Sequence, residues 1–222
     1  MNVWHDTLTA LLSSPIVLLI WLVITATCLA LLLRDLRVMN PEIAGLMRLV
    51  WFLTVLYSGV LGLALYWFTG RKQIARDSLW RRGARSTAHC YSGCGLGEIL
   101  GVVITVGVLS LGTWWVAGIT FLLAYAFGYA LTVGPLMQEG VPLSTALWDA
   151  FASETASITM MEVVAIASDI WLSKGATMDQ TIFWTSMAVS LSLGLAAAYP
   201  VNVLLIRFGV KEGMHSPKEM AG

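Results

Sequence analysis

Charge is what this chain has least of: only 12% of its 222 residues are Asp, Glu, Lys or Arg, against 58% that are hydrophobic. An ordinary soluble domain carries about 25% charged and about 45–50% apolar residues. A soluble core cannot absorb that much apolar surface, so a water-soluble globular domain is excluded. The phosphate-cradling Walker loop, the Gly-x-Ser-x-Gly nucleophile elbow and the zinc-protease His-Glu-x-x-His pair are also missing, which disfavours ordinary membrane enzymes. The formal net charge is zero. The basic residues lie beside apolar runs and not in a soluble groove, which argues against nucleic acid as a partner.

What the chain has in quantity is long apolar runs. Six stand out: Pro15 to Leu33, Leu49 to Thr69, Ala88 to Leu111, Trp114 to Leu136, a weaker one within Leu143 to Leu172, and Thr181 to Phe208. Each can cross a hydrocarbon layer of about 30 Å at about 1.5 Å per helical residue. They do not alternate as barrel strands would. The reading is an all-α polytopic membrane protein, a bundle of about six transmembrane helices in residues 1–210, with the lipid bilayer as its first partner. Residues 211–222, rich in Gly and mixed charge, read as a disordered cytoplasmic tail. The first run lacks a basic leader and is followed by "RDLRVMNPE" and not by a cleavage pattern, so it is expected to be retained.

Six spans fix an orientation by the distribution of basic residues. One side collects nine (Arg71, Lys72, Arg76, Arg81, Arg82, Arg85, Arg207, Lys211 and Lys218) and the other four (Arg34, Arg37, Arg48 and Lys174). That predicts that both termini lie in the cytoplasm. The loop "RKQIARDSLWRRGARS" reads as a short interfacial helix, with Ile74 and Trp80 dipping into lipid. Trp114, Trp115, Trp171 and Trp184 mark the outer boundary, where an aromatic belt belongs.

The third run opens with "STAHCYSGCGLGEILGVVI", which puts ionisable and sulfur groups at the head of an apolar helix. Cys90, Cys94 and Glu98 follow at steps of four and share one face. His89 stands about 100° round the helix, in the stripe that continues with Gly93, Gly97 and Gly101. That stripe allows very close helix approach, within the chain or in a homo-oligomer. Glu98 demands explanation, because an ionisable residue near mid-span costs about 2.5–3.5 kcal/mol on insertion scales. Protonation, a polar partner or a bound cation would each explain it. Cys28, alone in its span, is assigned to packing.

The fifth run supplies a second set in "FASETASITMMEVVAIASD", where Glu154, Ser157 and Met161 lie near one stripe, with Glu162 beside it. If "STAHC" and "ETASI" begin at equal depth, Cys94 and Glu162 fall at similar heights. Thiols and thioethers select Cu(I) and other soft ions, and carboxylates supply a harder ligand or a proton carrier. The candidate metal residues are therefore His89, Cys90, Cys94, Glu98, Glu154, Met161 and Glu162, with Glu98 and Glu162 as candidate proton carriers. The soft ion is the cargo, and no organic cofactor is expected. Pro200 is expected to kink the last span and let Tyr199 and Asn202 line a cavity.

"HCYSGCGLGE" also resembles the His-Cys-x-x-Gly-Cys-x-x-Gly-acid signature of a bacterial and archaeal membrane family known as domain of unknown function 4396, from roughly Arg85 through the last spans. The resemblance implies a multi-pass membrane protein with His89, Cys90, Cys94 and Glu98 at signature positions, in a family whose members occur in copper and heavy-metal contexts. The function expected is transport or reception of a soft metal ion, Cu(I) favoured, with coupling to protons. The alternatives are a membrane thiol-redox protein using Cys90 and Cys94, or a non-catalytic structural subunit.

Overall fold

The computed structural model describes residues 3–74 and 76–220. Its helices are α1 (Val3–Leu12), α2 (Pro15–Val38), α3 (Gly45–Ser58), α4 (Val60–Thr69), α5 (Leu79–Val102), α6 (Thr113–Gln138), α7 (Leu143–Ser173), α8 (Thr181–Arg207) and α9 (Pro217–Met220). α5 runs on as a π-helix over Val103–Val108. Five helices are long and apolar enough to cross a membrane: α2, α5 with its extension, α6, α7 and α8. The chain is an all-α polytopic membrane protein, as its apolar runs require.

The run from Leu49 to Thr69 is a correction, because it does not form a span. It breaks at Gly59, where φ is +52°, and α4 folds back along α3. Trp51 and Tyr66 meet with ring centroids 5.4 Å apart. A Cβ at Gly70 would stand 2.7 Å from the Trp51 ring, and one at Gly62 would stand 2.6 Å from the Thr54 carbonyl oxygen. Were α3 and α4 collinear, Trp51 and Gly70 would be separated by about 28 Å at 1.5 Å per residue. A glycine suits the tip because φ is positive there. A Cβ would also press on Thr25 Oγ1 at 3.1 Å and on the Trp21 ring at 3.3 Å. The hairpin enters and leaves at one end of the bundle, where Tyr66 OH donates to Asp35 Oδ2 at 2.7 Å and Lys72 N donates to Asn40 Oδ1 at 2.9 Å.

α1 and the segment after α8 pack at opposite ends of the bundle. At one end α1 docks on the starts and finishes of the last two spans: His5 Nε2 lies 2.9 Å from the Trp171 carbonyl oxygen, and Thr185 Oγ1 donates to the Leu12 carbonyl at 2.7 Å. Trp114, Trp115, Trp171 and Trp184 belong to this tryptophan end, the first three of them exposed. At the other end lie the hairpin feet, the start of α5 and the segment after α8. With the hairpin returned to its own side, Arg34, Arg37 and Arg48 join the nine already grouped there. Only Lys174 of the 13 Lys and Arg residues falls at the tryptophan end.

α5 is the central element, packed against α3, α4, α6, α7 and α8. Half of its most apolar window is buried, with a mean hydropathy of 1.5, whereas α2 has a mean hydropathy of 2.9 and is 17% buried. The polar and small residues are therefore inside and the oily helix faces lipid. The glycine stripe explains how neighbours come so close. A Cβ at Gly97 would stand 2.5 Å from the Leu123 carbonyl oxygen, and one at Gly93 would stand 2.9 Å from that of Phe127. The stripe is filled by α6 of the same chain.

One basic-end expectation also changes. Among the described residues of 71–78 none is helical, and α5 instead starts at Leu79 with the Ser78 hydroxyl accepting from Arg81 N at 3.3 Å. Arg85 is fully buried. Its guanidinium donates to Thr69 Oγ1 at 3.0 Å, to Asp77 Oδ2 at 2.5 Å and to the Met214 carbonyl at 2.9 Å. The segment after α8 packs back on the bundle at Met214, which donates its N–H to Ser86 Oγ at 3.1 Å and packs on the core beside α2 and α3. Residues 221–222 of the expected tail lie outside the described residues.

Candidate functional site

α5 and α7 run parallel through the middle of the bundle, and their sequences set a common register. Cys90 Sγ lies 3.7 Å from Ser157 Oγ, an offset of 67 residues, one short of the offset that aligns "STAHC" with "ETASI". Cys90 Sγ and Cys94 Sγ are 4.0 Å apart, both thiols free and buried. Helical periodicity stacks the two sulfurs on one face. They share one buried apolar cluster with Ile158, Met161 and Ala124. Gly128 on α6 makes room for them, since a Cβ there would stand 3.0 Å from Cys94 Sγ. Gly194 on α8 does the same for Met161, whose Cγ would stand 3.0 Å from an added Cβ.

The carboxylates distribute themselves above, beside and below this pair. Glu162 is wholly buried, and neither of its side-chain oxygens has a hydrogen-bond partner. Glu98 is 4% exposed, with Oε2 unpartnered. It lines a cavity of about 220 Å³ at the tryptophan end, together with Asp169 and Thr120. Asp169 accepts from Ser186 Oγ at 2.7 Å. Glu154 lies toward the basic end, in the wall of a cavity of about 800 Å³ that also takes in His89, Thr132 and Lys211. His89 Nδ1 is buried without a partner.

The seven residues picked from the sequence therefore fall into three tiers and not into one cage. His89 and Glu154 face the basic-end cavity, Cys90, Cys94 and Met161 lie in the closed middle with Glu162 buried on α7 at that depth, and Glu98 faces the tryptophan-end cavity. Among the described residues no group of three or more His, Cys, Asp and Glu side chains is placed to hold a metal ion. The donors that do meet are the two thiols, with Met161 in the same buried cluster. From His89 to Glu98 the helix rises about 14 Å, which is the thickness of the barrier between the cavities.

Several participants escaped the sequence reading. The hairpin tip carries Tyr57 against Gly95, where an added Cβ would stand 2.6 Å from the ring. Tyr57 meets Tyr91 edge to face at 5.7 Å, and both hydroxyls are buried and unpartnered. Lys211 Nζ reaches Glu154 Oε1 and Oε2, each at 2.7 Å. Asn202, expected to line a cavity, is instead fully buried and accepts from the same ammonium at 3.1 Å. Tyr199 turns away instead, to donate to the Trp80 carbonyl at 3.3 Å. α8 continues through Pro200.

Residues 79–211 match the model of a family described as Domain of unknown function (DUF4396). Nothing among the curated proteins matches the chain, and no solved structure does.

Proposed function

Taking as premise that the chain belongs to this family of unknown function, we propose that it is a membrane transporter for a soft metal ion, with Cu(I) the favoured cargo. One observation carries the reading: a pair of free thiols 4.0 Å apart, near the midpoint of the central span, separates two cavities that approach it from opposite ends of the bundle. Thiols with a thioether beside them prefer soft, low-coordinate ions. In this reading His89 and Glu154 receive the ion from the larger cavity, Cys90, Cys94 and Met161 hold it midway, and Glu98 faces its exit or arrival at the other end. Glu162 and Glu98 take up the protons that the thiols release on binding, since a thiol ligates as the thiolate. The cavity of about 800 Å³ against one of about 220 Å³ supports a conformation turned toward the basic end.

The distribution of charge supports a prokaryotic inner membrane with the basic end in the cytoplasm and the N terminus outside, because Lys and Arg collect on the cytoplasmic side. A thiol-redox role is the second reading, favoured by the same 4.0 Å separation, from which a disulfide of about 2.05 Å is reached by a small movement. One experiment divides the two. Metal analysis of the purified protein after exposure to Cu(I) should find a soft ion held by the wild type and lost from Cys90→Ser, Cys94→Ser. A wild type that binds none, yet cycles between dithiol and disulfide, rejects transport in favour of redox.

A further inference from the structure

The buried pair of Glu154 and Lys211 has the form of an occupied cation site. Three oxygens converge on one point: Glu154 Oε1 and Oε2 at 2.7 Å each and Asn202 Oδ1 at 3.1 Å from the ammonium nitrogen. Each is positioned without help from the lysine. The Asn202 amide is oriented by its own Nδ2, which donates to the Ala198 carbonyl at 3.2 Å. Glu154 Oε1 accepts from Thr132 Oγ1 at 3.3 Å. The oxygens thus stand on α7 and α8, steadied from α6, three long helices of the bundle.

The cation comes from elsewhere. Lys211 follows the end of α8, on a segment held to the bundle by Arg82 on the Glu212 carbonyl and by Arg85 on the Met214 carbonyl. That segment forms part of the wall of the larger cavity. A carboxylate 3% exposed inside an apolar bundle stays ionised only with a cation beside it, but nothing in the oxygen set requires that cation to be tethered.

We propose that Glu154, Asn202 and Thr132 form a binding site for a compact monovalent cation, an alkali-metal ion or ammonium, which Lys211 occupies as a built-in competitor. Oxygen donors of the carboxylate, amide and hydroxyl type suit hard ions and not the soft ion assigned to the thiols. A free cation arriving from the cavity displaces the ammonium, and the Lys211 segment then leaves the cavity wall. The site shares Glu154 with the entry route proposed for the soft ion, but it uses none of the sulfur ligands that hold that ion midway.

Binding of radioactive sodium, of rubidium as a potassium probe, and of ammonium by competition is measured on the full-length protein in detergent. Removing the tethered competitor raises apparent affinity by the reciprocal of the fraction of time the site stood free, so Lys211→Gln should bind one of the three saturably, at least about tenfold tighter than wild type. Binding should vanish in Lys211→Gln, Glu154→Gln and persist when Cys90 and Cys94 are replaced by serine, which separates this site from the metal reading. A folded Lys211→Gln protein that binds none of the three overturns the proposal. A second measurement needs only the wild type: exchange of the backbone amide hydrogens in residues 210–214 should speed up with sodium, potassium or ammonium chloride over N-methylglucamine chloride of equal ionic strength. Equal rates with all four salts also overturn it.

Discussion

Trp51 and Tyr66 pack edge to face at 5.4 Å within a single apolar run of the sequence, and that contact closes the run into a hairpin. Were the run a span, both termini would share a side. As a hairpin it leaves five crossings and opposed ends. Cysteines introduced one at a time at Asp6, Arg76 and Thr177, all with exposed side chains or backbone, should distinguish the two. A membrane-impermeant thiol reagent in intact cells should label the Asp6 and Thr177 positions and spare Arg76. Protection at Asp6 with labelling at Thr177 would restore the six-span arrangement.

The glycine stripe of α5 should be intolerant of even one methyl group. At Gly97 a Cβ would meet backbone atoms of Leu123 and Ala124 at 2.5–2.6 Å, which no rotamer change relieves. Gly97→Ala should cost about 1–3 kcal/mol, the usual range for overpacking. Gly118→Ala, on α6 with nothing within 4 Å, should change stability by no more than about 0.5 kcal/mol. Thermal unfolding of both variants in detergent checks the contrast, and equal melting temperatures would mean that α6 does not pack as closely as described.

Arg85 joins four pieces of the chain at the basic end: the foot of α4, the 71–78 segment, α5 and the Met214 segment. Its replacement by Met leaves the Thr69 hydroxyl and the Met214 carbonyl short of a donor. A loss of about 2–3 kcal/mol is expected, the scale of hydrogen bonds to a charged group. Lysine should recover only part of it, because a point charge cannot serve the planar fork's several acceptors. Limited proteolysis should cut after α8 sooner in Arg85→Met than in wild type. An unchanged cutting pattern would show that other contacts hold the segment.

How much of this was legible beforehand depended on whether the deciding contact was local. The crossings α2, α5, α6, α7 and α8 came from composition alone, since a hydrocarbon layer selects length and oiliness whatever the packing. The face shared by Cys90 and Cys94, and the stripe of Gly93, Gly97 and Gly101, followed from helical periodicity. The α3–α4 hairpin did not, because a run interrupted by Gly59 and Gly62 reads alike whether it crosses or turns back. What bends it is packing of Trp51 on Tyr66 and of Gly59 on Trp21. Lys211 was hidden for a similar reason: its partner Glu154 is 57 residues away, and a short polar segment after the last span carries no local sign that it folds inward. His89 and Glu154 were grouped with the thiols by residue type, although the roughly 100° step from His89 to Cys90 already turns the imidazole toward another wall.

Glu98 and Glu162 give the sharpest division between a working carboxylate and a packed one. Glutamine keeps the shape of either side chain, and the oxygens concerned have no partner to lose in the case of Glu162 and only one unpartnered oxygen at issue in Glu98. Each substitution should therefore alter stability by no more than about 1 kcal/mol, the scale of one net hydrogen bond. Transport is another matter, since glutamine neither ionises nor exchanges protons near neutral pH. In vesicles with an imposed proton gradient, Glu98→Gln should fold normally and lose Cu(I) flux, and Glu162→Gln should lose it to a lesser degree. Glu98 faces the tryptophan-end cavity directly, whereas Glu162 is sealed within the barrier, so a proton on Glu98 has the shorter route to water. Wild-type flux in Glu98→Gln would remove that residue from the mechanism and leave its burial a matter of packing.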